Sequence, residues 1–380
     1  MFSYGVLFAV LLIGGCISLI PAEKARKRTF VVYCATALPL LWLFAWLRAP
    51  NVDRDYQNYI DWFQTLSNGG LAENLFAKDP MFAVIGFGVK LVGFGIPALM
   101  SVYAALCLTG QSIFSRWIFP PRWLPLGLFL ILCRFFIPHE MTQIRVGAAI
   151  PLASLAIIQF ERRRVGSGIL LYVLAVFSHA AVLLALPVIC ILLFRMSLRS
   201  RWWIGLFVPL AFIGKIIFGH AAIFLAVFSR TGTYVTGAYD TEGVRLLSVY
   251  VLFRAVPLLI LCVFFWAKLN RQQRLIMLCS TMGLFLQIAL SINDALAIRG
   301  AEVFGLFDVA VALLLFSYLK PRQALVYALF LLALGGVFFR SSTTLMQPYS
   351  TVLSSVYGSS CVHANGHELT FGSEDLEKSI

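Results

Sequence analysis

Two arginines that lie within apolar sequence could bind a phosphorylated substrate. Arg145 is near the start of one apolar run, and Arg299 is just before another. A guanidinium group donates paired hydrogen bonds that match phosphate, so two of them suit a diphosphate. A charge at the centre of a bilayer costs about 2.5 to 3.5 kcal/mol, so such residues are usually paired or line a wet cavity. The alternative for both is a buried ion pair or a side chain that extends to the lipid headgroups.

Carboxylates and one imidazole could accept a proton from a hydroxyl group. They are Asp55, Asp79 and His179. Asp55 and Tyr59 are four residues apart and would share one face of a short helix, beside aromatic residues. A structural helix at the membrane interface would also explain the aromatics, and a hydrogen-bonded packing role is the alternative for His179. Sequence patterns of catalytic metal sites, phosphate-binding loops and acyl hydrolases are missing, so we expect no metal.

The elements that position these residues must be membrane helices. The 380-residue chain is 60% hydrophobic and 12% charged, with a mean hydropathy of +0.88. That leaves too little polar surface for a soluble globule. Apolar runs of about 17 to 25 residues, the length that crosses a bilayer as a helix, recur from Phe2 to Phe339. Backbone groups in lipid must pair internally, so the sequence predicts an all-α, polytopic integral membrane protein.

Basic residues indicate how the chain is oriented. Six short segments hold 17 of the 30 Lys and Arg residues, and the positive-inside rule places them in the cytoplasm. The segments are 24–28, 116–122, 162–164, 195–201, 268–274 and 320–322. Crossings between them give about twelve transmembrane helices with both termini outside, provided that 81–110 crosses once and adds a short embedded piece. The net charge of +13 is therefore mainly an orientation signal, and nucleic-acid binding is not expected.

This topology predicts one transmembrane domain over residues 1–340. It has an outer loop at 48–80 with a short interfacial helix, a second outer loop at 229–246, and a polar, partly disordered tail at 341–380. Arg145, His179 and Arg299 fall in the outer half of the membrane. We therefore expect them to meet the carboxylates of the first loop in one outward-facing cavity.

Other charged residues in apolar runs have a simpler expected role. Arg134 and Arg254 are predicted to pair locally or to extend to the headgroups.

A series of short motifs resembles a known family. Arg48 is followed by Asp-Tyr-Gln-Asn-Tyr at 55–59 and by Asp-Pro-Met-Phe at 79–82. The later motifs are Gln-Ile-Arg-Val-Gly-Ala-Ala at 143–149, Ala-Val-Phe-Ser-His at 175–179, Arg299 with Phe304, and Gln-Pro-Tyr at 347–349. In order and spacing this set resembles the EpsG-like branch of the Wzy-type bacterial polysaccharide polymerases. Asp79 stands where that family usually has Glu, and Asp53 where it often has Gly.

The resemblance implies an inverting membrane glycosyltransferase of GT-C-like architecture in the bacterial inner membrane. It would transfer a growing glycan from undecaprenyl diphosphate to the non-reducing end of another lipid-linked repeat unit, at the periplasmic face. No cofactor is implied, because the donor is already activated. The implied partners are the lipid-linked oligosaccharides, membrane lipids, a chain-length regulator and a flippase.

The resemblance also suggests roles for residues of this sequence. The diphosphate-binding residues would be Arg48, Arg145 and Arg299. The candidates for the catalytic base are Asp55, Asp79 and His179. The residues that position sugars would be Tyr59 and Tyr349.

Two other functions compete with polymerisation. A flippase or other transporter of lipid-linked oligosaccharides needs polar contacts that open to each side in turn, whereas this chain places its candidate residues on one side. An O-antigen ligase uses the same donor but a different acceptor. The sequence leaves open whether the product is O-antigen of lipopolysaccharide, capsule or exopolysaccharide.

Overall fold

The computed structural model describes most of the chain. The described residues are 2–50, 52–53, 55–66, 75, 79–198, 202–225, 248–344 and 346–351. The predicted outer loop at 229–246 and the tail beyond residue 351 lie outside them, as does part of the first outer loop.

Within these residues the chain is built from helices, which confirms the predicted all-α class. The α-helices are α1 (Phe2–Cys16), α2 (Glu23–Trp46), α3 (Tyr56–Thr65), α4 (Pro80–Leu91), α5 (Ile96–Ile118), α6 (Leu124–Phe135), α7 (Ile144–Glu161), α8 (Val165–Ser178), α9 (Leu186–Leu193), α10 (Trp202–Leu225), α11 (Val249–Ile260), α12 (Arg271–Ala289), α13 (Asp294–Glu302), α14 (Gly305–Leu314) and α15 (Pro321–Thr343). Short 3₁₀ segments lie at Ile17–Leu19, Ala180–Ala185, Trp266–Lys268 and Leu315–Tyr318, and π-helical segments at Phe136–Thr142 and Leu261–Phe265.

The lengths and composition of the helices agree with a polytopic membrane protein. Six of the described helices are long and apolar enough to cross a bilayer, or seven if the bent pair Leu296–Glu302 and Gly305–Tyr318 is one span. Five more apolar helices are only 10–17 residues long. The predicted count of about twelve spans and the GT-C-like architecture are therefore not confirmed.

The segment at 81–110 has the expected form of one long helix and one short one. The twelve residues of α4 are too few to span a bilayer, whereas the 23 residues of α5 are enough. The turn between them uses Gly93 at a φ of +82°, a left-handed conformation that glycine adopts without strain.

The core forms around α6, its π-helical extension and α7, which are the most enclosed spans. Small residues let the neighbouring helices approach closely, as is typical of packing in lipid. A Cβ added to Gly15 of α1 or Gly335 of α15 would lie 2.8 or 2.4 Å from the ring of Phe129. In the same way Gly110 of α5 packs on Pro151 of α7, where a Cβ would lie 2.6 Å away.

The first residues after α15 pack on the start of the first outer loop. The amide of Ala49 donates to the carbonyl of Ser350 at 3.0 Å, and the amide of Gln347 donates to the carbonyl of Val52 at 3.0 Å. The hydroxyl of Tyr4 in α1 donates to the carbonyl of Gln347 at 2.9 Å. Residues 346–351 of the predicted tail are therefore part of the folded domain.

Candidate active site

Three helix ends bring Asp79, Arg145 and His179 together. Asp79 is the N-cap of α4, where Pro80 begins the helix. Arg145 is in the first turn of α7, and His179 follows the last residue of α8. Helices α7 and α8 pack against each other, as do α4 and α8. The three residues are 34 or more positions apart in sequence, so only the fold makes them neighbours.

Asp79 lies between the two basic side chains. Its Oδ2 forms an ion pair with Nη1 of Arg145 and lies 3.6 Å from Nδ1 of His179. The side chains of these three residues are 16 to 21% exposed, so the cluster is sheltered and still accessible to a ligand. The hydroxyl of Ser178 donates to the backbone carbonyl of Arg145 at 2.9 Å, which ties the end of α8 to the start of α7.

Aromatic residues of α3 cover one side of Arg145. Its guanidinium carbon lies 4.4 Å from the ring centroid of Trp62 and 6.0 Å from that of Tyr59. The Tyr59 ring also packs on Phe82 of α4, at 6.1 Å between centroids. Burial raises the pKa of Tyr59 to about 12, so the phenol stays neutral and offers a hydroxyl, not a base. An aromatic wall beside a cation suits a sugar next to a phosphate.

Arg48 is enclosed by protein. Its Nε donates to Oδ2 of Asp53 at 2.8 Å, and both side chains have no exposed surface. The remaining donors reach the carbonyl of Ala45 and the sulfur of Met100, and the ring of Tyr56 lies 5.1 Å from the guanidinium carbon. The predicted contact of Arg48 with a diphosphate would require this buried arrangement to open. In this conformation the residue fixes the start of the outer loop.

Tyr349 belongs to the same supporting region. Its hydroxyl donates to the carbonyl of Phe44 at 2.8 Å, and its ring stacks on the Phe44 ring at 3.9 Å between centroids. The ring of Tyr4 packs edge-on against it at 6.2 Å. These contacts attach residues 346–351 to α1 and α2, whereas the predicted role in positioning sugars remains a prediction.

Asp55 and Arg299 belong to two other elements that adjoin those of the cluster. Asp55 precedes α3, is partly exposed, and makes no side-chain hydrogen bond or ion pair among the described residues. Its backbone amide donates to Oδ1 of Asp53 at 3.0 Å. Arg299 is partly buried in the last turn of α13. That helix contacts the 3₁₀ segment that begins directly after His179.

Sequence reasoning missed a buried charge network centred on Asp308 of α14. Arg254 of α11 donates to both oxygens of Asp308, at 2.8 and 2.5 Å, and Arg134 of α6 donates at 3.1 Å. Ser280 of α12 donates at 2.7 Å, so four helices meet at one carboxylate that has no exposed surface. Arg134 and Arg254 were predicted to pair locally, but their partner is 174 and 54 residues away in sequence.

Two irregular segments join this network to the candidate site. The π-helical segment carries His139, and the 58° bend between α13 and α14 carries Glu302. Nε2 of His139 lies 3.6 Å from Oε2 of Glu302. The backbone of His139 also packs against Gly147 of α7, two residues after Arg145. Irregular helical segments in membrane proteins often occur at functional sites. The sequence signal for this segment was the Pro at 138, which directly precedes a pair of ionisable residues.

Glycines allow this close approach. A Cβ on Gly147 of α7 would lie 2.7 Å from the carbonyl oxygen of His139, and one on Gly305 would lie 2.5 Å from the ring of Phe135. Both distances are shorter than real Cβ contacts, so a larger residue would push the segments apart.

The chemistry available in the cluster is acid–base chemistry next to a fixed positive charge. Among the described residues no group of three His, Cys, Asp or Glu side chains could hold a metal ion. Asp79 lies 3.6 Å from Nδ1 of His179, too far for a hydrogen bond, while Arg145 provides a fixed positive charge beside an aromatic wall.

One comparison with known proteins identifies relatives. The sequence model of the EpsG family matches residues 31–351, more than four fifths of the chain. This stretch contains most of α2, all of α3 to α15, the Asp79 cluster and the Asp308 network. Searches among curated proteins and among solved structures gave no significant match.

Proposed function

This chain belongs to the EpsG family, and we propose that it is a polymerase that joins lipid-diphosphate-linked oligosaccharide repeat units. The growing glycan on undecaprenyl diphosphate is the donor, and the non-reducing end of a second lipid-linked unit is the acceptor. The reaction takes place at the periplasmic face of the bacterial inner membrane. The observation that carries the proposal is the contact of Asp79 with both Arg145 and His179 within a membrane protein of this family.

Arg145 and Arg299 hold the donor diphosphate in this proposal. Arg145 lies at a helix end, is partly exposed, and is backed by the carboxylate of Asp79 and the ring of Trp62. This placement leaves one donor of the guanidinium free for a ligand, since its Nε has no hydrogen-bond partner among the described residues. A fixed cation stabilises the negative charge that develops on a departing diphosphate.

His179, with Asp79 beside it, is the base that we favour. The acceptor hydroxyl loses its proton to His179, and its oxygen attacks the anomeric carbon from the side opposite the diphosphate. The bond from this carbon to the diphosphate oxygen breaks, and undecaprenyl diphosphate leaves with the electron pair. Asp79 stabilises the imidazolium that forms. Asp55, which is partly exposed on the neighbouring loop, is the second candidate for the base.

The remaining predicted residues take supporting roles. Tyr59 lies beside Arg145, but its ring is buried against Trp62 and Phe82, so contact with a donor sugar would require this packing to open. Arg48 and Tyr349 stabilise the joint between the outer loop and residues 346–351. Through this joint they position α3, and so Tyr59.

A genetic experiment tests the proposal. The gene is deleted in its host and complemented with wild type or with Arg145→Ala, after insertion of each protein has been verified on a blot. The expected result is loss of the polymer ladder on a gel while single repeat units still reach the cell surface, with rescue by wild type only. Loss of the single units as well would contradict polymerisation and favour export or ligation. Full rescue by Arg145→Ala would contradict the role of Arg145.

A further inference from the structure

Two arginines at helix ends occupy backbone conformations that normally favour glycine. Arg163 follows α7 with a φ of +65°, and Arg195 follows α9 with a φ of +56°. The two helices end with the same hydrogen-bond pattern, and each arginine occupies the same position in it. The amides of Arg163 and Arg195 donate to the carbonyls of Phe160 and Leu192, at 3.1 and 3.2 Å. Glycine is the usual residue at this position of such an ending, so an arginine there is strained.

The two arginines line one pocket. Its volume is about 410 Å³, and its other walls are Phe160, Val165, Leu192 and Leu193. The side chains of Phe160 and Leu192 are buried, whereas those of Val165 and Leu193 are 43 and 46% exposed. The pocket therefore has an apolar floor and one cationic side chain from each of two helix ends.

The neighbouring charges are already engaged elsewhere. Glu161 accepts a hydrogen bond from Nε of Arg271 at 2.8 Å, and Arg162 stacks on the ring of Trp117 at 4.6 Å. The Arg163 and Arg195 side chains are both exposed. Since Glu161, which lies two residues before Arg163 in sequence, is paired with Arg271, it leaves the positive charge at the pocket available to an anion from outside.

The position of the pocket restricts the kind of ligand. Both arginines belong to basic segments that the positive-inside rule places in the cytoplasm, directly after apolar helices. An apolar floor with a cationic rim at this depth suits an amphiphile with an anionic headgroup. Among the described residues, the pocket walls include no Tyr, Trp or carboxylate group of the kind that would mark a sugar site.

We propose that this pocket is a specific site for one anionic phospholipid. The lipid phosphate binds between the guanidinium groups of Arg163 and Arg195, and an acyl chain lies along Leu192 and Leu193. The bound lipid therefore links the C-terminal ends of α7 and α9. The cluster of Asp79, Arg145 and His179 lies at the other end of α7. The site is independent of the proposed polymerase chemistry, so its test needs no glycan substrate.

Substitution by glycine distinguishes a loss of lipid binding from a loss of stability at the helix ends. The double variant Arg163→Gly/Arg195→Gly removes both guanidinium groups and relieves the backbone strain, so the protein without added lipid should be at least as heat-stable as wild type. Two charges near an anionic headgroup contribute about 1 kcal/mol each, so phosphatidylglycerol affinity should fall about 30-fold. The matched control is Arg28→Gln/Arg322→Gln, which removes two exposed charges from other predicted cytoplasmic segments.

The measurement is binding of phosphatidylglycerol to the purified protein by native mass spectrometry, with thermal stability followed at the same lipid concentrations. Phosphatidylcholine serves as the lipid without net charge. We expect one tightly held phosphatidylglycerol on wild type and on the control, and its loss from the glycine variant. Equal loss from the glycine variant and the control would show diffuse charge attraction and overturn the proposal. Unchanged binding to the glycine variant would also overturn it, as would equal retention of phosphatidylcholine by wild type.

Discussion

Replacing Asp79 by Asn should distinguish the contribution of this residue to activity from its contribution to stability. The substitution keeps the shape of the side chain and removes the charge that faces Arg145 and His179. A hydrogen bond to a charged group contributes about 1.5 to 3 kcal/mol when buried. The Asp79 side chain is 16% exposed, so solvent screening puts the loss of stability near the lower end, at about 1 to 2 kcal/mol.

The expected loss of activity is larger than this loss of stability. A positioned general base contributes a factor of about 10² to 10⁴ to the rate, and His179 loses the carboxylate that stabilises its charged form. We therefore predict that Asp79→Asn lowers the polymerisation rate at least about 100-fold while the protein remains inserted. The assay combines chain elongation on a lipid-linked repeat unit with a thermal unfolding curve in detergent.

Asp79→Glu is the matched control for this experiment. It keeps the charge and lengthens the side chain by only one methylene, so it should retain most of the activity. If Asp79→Asn elongates chains within about twofold of the wild-type rate, the reasoning that places Asp79 in the mechanism is wrong. If both variants lose activity and unfold at the same lowered temperature, Asp79 has only a structural role.

The other predictions concern the supporting structure. Asp308→Asn should lower the free energy of unfolding by about 3 to 5 kcal/mol, because two buried arginines lose their shared carboxylate; a change below about 1 kcal/mol in denaturant titrations would contradict this. Asp53→Asn should destabilise the protein more than the double variant Arg48→Met/Asp53→Leu, which leaves no buried charge unpaired; the reverse order in a thermal shift assay would refute it. Gly147→Ala should reduce both stability and activity because its Cβ meets the backbone of His139, whereas Gly88→Ala, with open space around it, should leave both unchanged; equal effects would argue against close packing at the π-helical segment.

The sequence named the three residues of the main cluster among a larger set of candidates that also held Arg48, Asp55 and Arg299. Arg145 and His179 stood out because ionisable residues are costly in apolar sequence, and Asp79 stood out as a carboxylate of the predicted outer loop. The short motifs gave the correct family, since the family match spans residues 31–351. Each of the three residues lies at a helix end, and their contacts depend on how α4, α7 and α8 pack together.

The buried network could not be predicted in the same way. Arg134 meets Asp308 across 174 residues, and their pairing depends on how α6, α11, α12 and α14 pack together. No local spacing rule carries that information. The same holds for Arg48, whose family motif suggested a ligand contact but whose side chain is enclosed by Asp53 and Tyr56.

Helix breaks explain why the number of spans was harder to predict than their presence. Hydropathy averages over a window, so it does not detect the 58° bend between Glu302 and Gly305 or the turn at His179. Those breaks are where His179 and Glu302 lie. The features that made the span count uncertain are therefore part of the candidate site.

The most direct test of the central claim is a reaction with purified components. The protein in lipid nanodiscs is given a repeat unit linked to undecaprenyl diphosphate, without nucleotide sugars, and the products are separated by size. We predict chains of many repeat units, with one undecaprenyl diphosphate released for each bond formed, and no such product from Arg145→Ala. Release of lipid diphosphate without longer chains, or no reaction by a folded wild-type protein, would contradict the assignment as a polymerase.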